Sequence, residues 1–395
     1  MTTNKEVQFK KHTTKITDEA LAELRNMVGK EIVGEGIAHP REDWEIEDAK
    51  FSVADVRRLC RAIGDFNPLF VEEGYAKKTR FGRPVVPPSI VLEEEQLDSE
   101  MGALVGCRAV LKAASVEWYM PILQGDALLG KSYIRNIQEV TASLDDGRVV
   151  TQDLETLVSN HRGEKVATVK TSWNCCERGS AAELSIFDGR EPAMWNSDQI
   201  ESIHQEYRGE EASGVIRGAE PRHWEEVKVD ERIPYILKGP TTTTKRVSLI
   251  ILAGFTFQET FEWYHGHGEA FEQLEKWPDL FFPNEFGSLE PVKGMEWSHD
   301  RAQRLLGVPG AKEANSERLH WTTQMLTNWQ GDDGFLKRID LKFPAINMMG
   351  DITRCYGKVI GKRVEEGKKV VDIEVWNINQ VGETVTTGSA EVVLP

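Results

Sequence analysis

Few residues in this sequence have the type and spacing that chemistry requires. His265 and His267, with Glu262 and Glu269 nearby, could ligate a metal, yet no third ligand stands at a recognisable spacing. They are expected instead as polar members of an aromatic helical segment, FEWYHGHGEAFEQL, and no metal is expected. Cys60, Cys107, Cys175, Cys176 and Cys355 form no CxxC pair and have no histidine at a motif distance, which argues against a thiol nucleophile. No glycine-rich loop runs into Lys-Ser/Thr, so Gly310, Gly331 and Gly334 read as turn glycines. The remaining candidates are Asp65 and Asn67 in the stretch AIGDFNPLF (62–70), the adjacent His299 and Asp300, and the group Arg318, His320 and Trp321. Asp and Asn at such a turn cap backbone N–H groups. His299 before a helix can simply sit at the surface. Arg318 can orient its helix through an ion pair or grip a carboxylate or phosphate.

Secondary structure must hold these residues, and the sequence states that structure twice. SVEWYMP (115–121) and IDLKFP (339–344) alternate apolar and polar residues and stop at proline, as half-buried strands do. A Gly-Asp pair follows each, Gly125-Asp126 and Gly350-Asp351. Two long strand-like stretches come next, broken by DDG (145–147) in one half and EEGKK (365–369) in the other. Both second strands run into Asn-x-x-Gly-Glu, at 160–164 and 379–383, where glycine supplies the positive φ of a tight hairpin. A final strand closes each half, KVATVKTSW and TVTTGSAEVVL. Upstream of each strand set lies helical sequence. Ser52 and Asp55 form a capping-box pattern before Val53, Val56, Leu59, Cys60 and Ile63, and WTTQMLTNW (321–329) carries an apolar stripe of Trp321, Met325, Leu326 and Trp329. The expectation is an α+β duplication, each half a helix packed across a curved antiparallel sheet.

Length and charge narrow the function. At 395 residues, two domains of under 200 residues each are expected. The boundaries fall at 1–176 and 222–395, joined by a strandless acidic linker at 177–221 with one helix near 197–207. A net charge of −16 argues against nucleic acid as a partner, because phosphate backbones require clustered Lys and Arg. An anionic ligand at a local basic patch or helix N-terminus is still open. The N-terminus has no apolar core, and the longest apolar run, 247–255, is too short to span a membrane. With an odd cysteine count in a long chain, a cytoplasmic protein without membrane attachment is expected.

The stretch AIGDFNPLF, continuing as VEEGYAKKTRFGRPVVPPSIV, resembles the hydratase signature of the MaoC-like hot-dog proteins, in which Gly-Asp-x-Asn-Pro-Leu-His leads into a helix. HWTTQMLTNWQGDDGFLKRIDLKFPAINMMGD resembles the back half of such a domain, so the likeness covers most of the chain. It implies a tandem double hot-dog that adds or removes water at the double bond of an enoyl-CoA thioester, with no cofactor. In that reaction a carboxylate and an imidazole hold and deprotonate water and protonate the α-carbon. Helix N-terminal N–H groups polarise the thioester oxygen.

The resemblance also assigns residues. Asp65 matches the family's acid and Asn67 its loop-fixing amide, but Phe70 stands where the histidine belongs. In the second half EWSHDRAQRLLGVPGA (296–311) resembles the His-x-Asp stretch and its turn, which makes His299 the expected imidazole, Asp300 its neighbour and Gly310 part of the substrate turn. Strict register back from Pro309 would place Trp297 there instead. Arg318-x-x-Trp321 preserves a pair found before the second central helix, so Arg318, His320 and Trp321 are expected to bind substrate. KWPDLFFPN (276–284) reads as core or as a lid over the acyl chain. Two other functions stay open: a non-catalytic acyl-CoA-binding subunit of a hetero-oligomer, favoured by Phe70, and thioester hydrolysis on the same fold. A tandem chain supplies its own pseudo-dimer, and further pairing as a homodimer or hetero-oligomer is possible.

Overall fold

Turn residues common to the two halves set the architecture. A computed structural model of the chain describes residues 13–32, 50–92, 104, 106–187, 189–212, 214–252, 281–284, 286–291, 294 and 296–395. The first half contributes β1 (Glu31–Ile32), β2 (Arg108–Trp118), β3 (Leu128–Glu139), β4 (Val149–Asn160) and β5 (Lys165–Cys176). The second contributes β6 (Arg232–Lys238), a small hairpin of β7 (Phe281–Pro283) and β8 (Leu289–Pro291), and then β9 (Phe335–Lys342), β10 (Thr353–Glu365), β11 (Lys368–Asn379) and β12 (Thr384–Leu394). Ten of these strands form one antiparallel sheet in the order β1-β3-β4-β5-β2-β9-β12-β11-β10-β6. That order is mirrored about the β2–β9 pair, where Ala113 faces Lys342 and Glu117 faces Arg338. The halves therefore meet edge to edge, as two subunits of a dimer would, inside one chain.

The duplicated turns agree atom by atom. Asp126 accepts from the Leu123 N–H at 3.0 Å and Asp351 from the Met348 N–H at 2.7 Å, each following a glycine with φ near +90°. Asn160 Oδ1 accepts from the N–H groups of Arg162 and Glu164, and Asn379 Oδ1 from those of Val381 and Glu383. These Asx turns close both hairpins locally, so each half folds its own sheet by short-range contacts.

Side-chain alternation places the core. Along β11, Val371, Ile373 and Val375 are buried on one face while Asp372, Glu374 and Trp376 point to the other. Helix α1 (Asp18–Met27) packs beside β3, α5 (Glu317–Gln330) lies over the inner face of the second-half strands, and α2 (Val53–Ile63) packs against α4 (Thr243–Leu252) and α5; α3 spans Ser197–Ala212. One apolar cluster runs through both halves, from Val116, Trp118 and Trp173 to Trp321, Trp329 and Ile373. Full burial of each such side chain contributes about 1.5–3 kcal/mol.

Two segments differ from what periodicity alone suggests. The apolar stripe of α5 implies one buried face, yet all fourteen of its residues are buried. Its own sheet covers one side and first-half residues cover the other, so His320, Gln324 and Asn328 are enclosed as well. The strandless segment after β5 holds a short helix at Ala181–Ser185 and the longer α3, which lies along β6 and β10. Arg354 forks onto Glu206 with both contacts at 2.6 Å, and Tyr207 donates to the Gly239 carbonyl. His265, His267 and residues 276–280 lie outside the described residues. Among the described residues no helix is long and apolar enough to cross a membrane.

Gly388 of β12 faces Leu341 of β9, and a Cβ there would sit 2.0 Å from the Asp340 carbonyl oxygen. Backbone cannot swing aside as a side chain can. Gly388→Ala is expected to cost about 1–3 kcal/mol, read as a fall in Tm. An unchanged Tm would mean that β9 and β12 part without resistance.

Candidate active site

The Gly64–Val71 loop is built by its own residues. Helix α2 opens on a reciprocal cap: Asp55 accepts from the Ser52 N–H at 2.9 Å, and Ser52 Oγ accepts from the Asp55 N–H at 3.2 Å. It ends at Gly64, whose φ of 70° is left-handed, the conformation that favours glycine at a helix C-terminus. The chain then turns inward. Asp65 Oδ1 accepts from the Asn67 N–H at 3.0 Å, and Asn67 Oδ1 accepts from the Leu69 N–H at 3.1 Å, capping a helical turn that starts at Pro68. Both side chains are buried.

The other half supplies the wall. Helix α5 presents His320, Gln324 and Asn328, spaced four apart and so on one face. His320 Nδ1 and Ser89 Oγ are 2.7 Å apart, Gln324 Nε2 donates to the Gly64 carbonyl at 3.0 Å, and Asn67 Nδ2 reaches Asn328 Oδ1 at 3.5 Å. Lys238, the last residue of β6, donates to the same Gly64 carbonyl at 3.0 Å and also meets Gln324 Oε1. Two elements of the second half thus grip one carbonyl next to Asp65.

Electrostatics follow from this enclosure. Burial pushes the Asp65 carboxyl up from its ordinary 3.8 to about 6, against the Asn67 N–H and the charges of Lys238 and His320, which pull it down. Burial pulls the Lys238 ammonium down to about 8, assisted by the charge of Lys245 and opposed by that of Asp65. A carboxyl poised near neutrality can both take and return a proton.

Space lies on both sides of the loop. Asp65 borders a cleft of about 550 Å³ together with Arg57, Arg61, Gly64 and Phe66. Asn67 and Phe70 border a narrow slot of about 50 Å³ walled by Trp118, Met120, Phe335 and Leu336. Phe70 is a buried apolar wall of that slot.

The other candidates stand elsewhere. His299 opens a short helical turn and has both ring nitrogens engaged: Nδ1 accepts from the Ala311 N–H at 3.1 Å, so Nε2 carries the proton and donates to the Met349 carbonyl at 2.9 Å. Burial lowers its pKa, in keeping with that neutral form. Gly310 is bare because the His299 ring lies against it; a Cβ would sit 2.4 Å from Nδ1. Asp300 is exposed and pairs with Arg304. Arg318 donates to the carbonyls of Ala345 and Val385, pairs with Glu313 and lies over the Phe343 ring at 4.5 Å. The Trp321 ring takes the Lys245 ammonium at 4.5 Å. Of the sequence candidates, the structure brings together Asp65, Asn67 and His320. Replacing His299 by Ala is expected to lower Tm, by about 1–3 kcal/mol of stability for two lost half-buried hydrogen bonds, without changing the turnover of the folded fraction. A large fall in turnover at unchanged Tm would return His299 to the chemistry.

Sequence reasoning missed Lys238, Gln324, Asn328 and Ser89. The four-residue spacing of His320, Gln324 and Asn328 was available as a polar stripe. Nothing in the sequence connects Lys238 to a loop 174 residues earlier.

Comparison with known proteins agrees with the fold. Residues 41–169, which include the Gly64–Val71 loop, match the family described as FAS1-like, dehydratase domain region. Among solved structures, a MaoC-like dehydratase shares 14% identity with a TM-score of 0.60, over 94% of this chain and 99% of that one. A MaoC domain dehydratase from Chloroflexus aurantiacus shares 11% identity with a TM-score of 0.55, over 93% and 95%. A Mycobacterium tuberculosis protein described as a double hot-dog is more distant, at 9% identity and a TM-score of 0.48 over 87% and 92%. No curated protein matches the sequence. The chain shares the tandem double hot-dog fold of the MaoC-like dehydratase structures, and its residues 41–169 are similar to a dehydratase domain region.

Proposed function

We propose that the chain is a hydro-lyase that adds water to, or removes it from, an acyl-CoA thioester, with Asp65 as the proton-transferring group. One observation carries this reading: a buried carboxyl, held near neutrality, borders an open cleft in a Gly-Asp-x-Asn-Pro-Leu loop that the other half clamps. In hydration, the Asp65 carboxylate takes a proton from water as the water oxygen bonds to the β-carbon. The double-bond pair moves onto the thioester as an enolate, and the carboxyl returns its proton to the α-carbon. The reverse sequence expels water. Arg57 and Arg61 at the cleft suit the phosphates of CoA, and the apolar slot beside Asn67 suits a short acyl group.

Phe70 supports a second reading, in which the chain binds acyl-CoA as one subunit of a hetero-oligomer. The pure protein, incubated with a panel of short, branched and aromatic enoyl-CoA thioesters, is expected to bleach the conjugated absorbance of at least one of them. Absence of turnover alone, with turnover restored by a co-encoded partner, would favour the subunit instead.

A further inference from the structure

A second group of buried charges lies away from Asp65. Arg108, Arg178, Arg246 and Lys312 are each at most 6% exposed, and three of them converge on one carboxylate. Glu296 meets Arg178 at 2.9 Å, Arg108 at 3.1 Å and Arg246 at 3.8 Å. Glu183, fully buried, meets Arg108 at 2.5 Å and Arg178 at 3.5 Å. Arg246 also donates to the Lys312 carbonyl at 2.8 Å, and Lys312 Nζ donates to Asn315 Oδ1 at 3.0 Å. The nearby acids are engaged elsewhere: Glu313 with Arg318 and Asn347, and Glu317 with Lys245. Among the described residues, the three arginines thus pair directly with two buried carboxylates, Glu296 and Glu183, while Lys312 feels Glu296 and the Glu313 carboxylate that Arg318 already holds.

The donors are in excess as well as the charge. Arg108 Nη2 and Arg246 Nε are shut off from solvent with no hydrogen-bond partner among the described residues, and so are Trp297 Nε1, next in sequence to Glu296, and Ser316 Oγ, four residues past Lys312. A buried guanidinium nitrogen without an acceptor is costly, and water, being neutral, would satisfy the hydrogen bond without balancing the charge. Burial draws the Lys312 ammonium down to about 7, while the surrounding cations hold Glu296 well below the carboxylate range despite its burial.

We propose that Arg108, Arg246, Lys312 and the unpartnered donors beside them bind a small oxyanion, the carboxylate of a metabolite or a phosphate group. Its oxygens accept from the free guanidinium nitrogens and its charge completes the balance that Glu296 and Glu183 leave open. The acidic surface of the chain does not oppose this, because the cluster is a local positive island.

Calorimetric titration of the full chain with sodium malonate, sodium phosphate and CoA, at ionic strength fixed with sodium chloride, tests the site. Saturable binding of malonate but not phosphate identifies a carboxylate, and the opposite identifies a phosphate; a response to CoA, which the Asp65 cleft also invites, is assigned to this cluster only if Arg246→Met abolishes it. Arg246→Met is expected to weaken the binding at least tenfold, and Asp65→Asn to leave it unchanged. Lys312→Met gives a separate readout: it is expected to raise Tm in anion-free buffer, because it removes an uncompensated buried charge, and to abolish the Tm gain from the anion. No saturable binding of any probe, a response that chloride alone reproduces, or binding that Arg246→Met leaves intact would each overturn the proposal. So would a lower Tm of Lys312→Met in anion-free buffer.

Discussion

Replacing Asp65 by Asn is expected to lower turnover by about 10²- to 10⁴-fold, the range for loss of a positioned general base, while making the protein more stable at pH 8. The amide keeps the shape of the loop, because its oxygen still accepts from the Asn67 N–H as Asp65 Oδ1 does. The stability effect follows from the raised carboxyl. In the folded chain it titrates near 6 and in the unfolded chain near 3.8, so the folded state prefers the protonated form. Below about pH 3.8 the native state carries no penalty; the penalty grows as the pH rises and is complete above about 6, at an upper bound of about 3 kcal/mol. Asp65→Asn removes it. The Tm of the variant should exceed that of the native chain at pH 8 and meet it near pH 3.5. A variant that loses turnover and is also less stable at pH 8 would mean that the carboxylate holds the fold and has no part in the reaction.

Arg318→Met is expected to cost about 3–5 kcal/mol of stability. Arg318 is almost wholly buried, and its guanidinium is filled from within by two backbone carbonyls, the Glu313 carboxylate and the face of Phe343. Removing it strands Glu313, whose carboxyl burial already pushes upward and which relies on Arg318 to oppose that shift. Adding Glu313→Gln should restore part of the loss, because it removes the uncompensated charge. Chemical denaturation of both variants reads this directly. A stable Arg318→Met protein with a raised KM would show instead that Arg318 binds substrate.

Much of the fold was legible because its signals are local. Gly-Asp and Asn-x-x-Gly-Glu close turns through their own side chains, so their repetition reports a repeated structure. The capping box of α2 and the glycine that ends it are equally local. Of the candidate site, Asp65, Asn67 and His320 were legible in the sequence, and the residues that clamp the loop were not. Asp65 and Asn67 belong to one loop, whereas Lys238, Gln324 and Asn328 reach that loop only because the β2–β9 pairing brings the halves together. His299 shows the converse. Its sequence neighbourhood resembles a catalytic stretch, but packing against 310–311 and 348–349 occupies both ring nitrogens. The burial of Gln324 and Asn328 on α5 was not legible, since periodicity describes one helix and not what covers it.

The role of Asp65 is tested most directly by the pH dependence of kcat/KM for whichever enoyl-CoA the native chain turns over best. Both directions of the reaction start from the Asp65 carboxylate, so the rate should rise with pH through one ionisation near 6 and then level off. The residual activity of Asp65→Asn should lack that step. A native profile flat between pH 5 and 8, or the same ionisation persisting in Asp65→Asn, would remove Asp65 from the proton transfer.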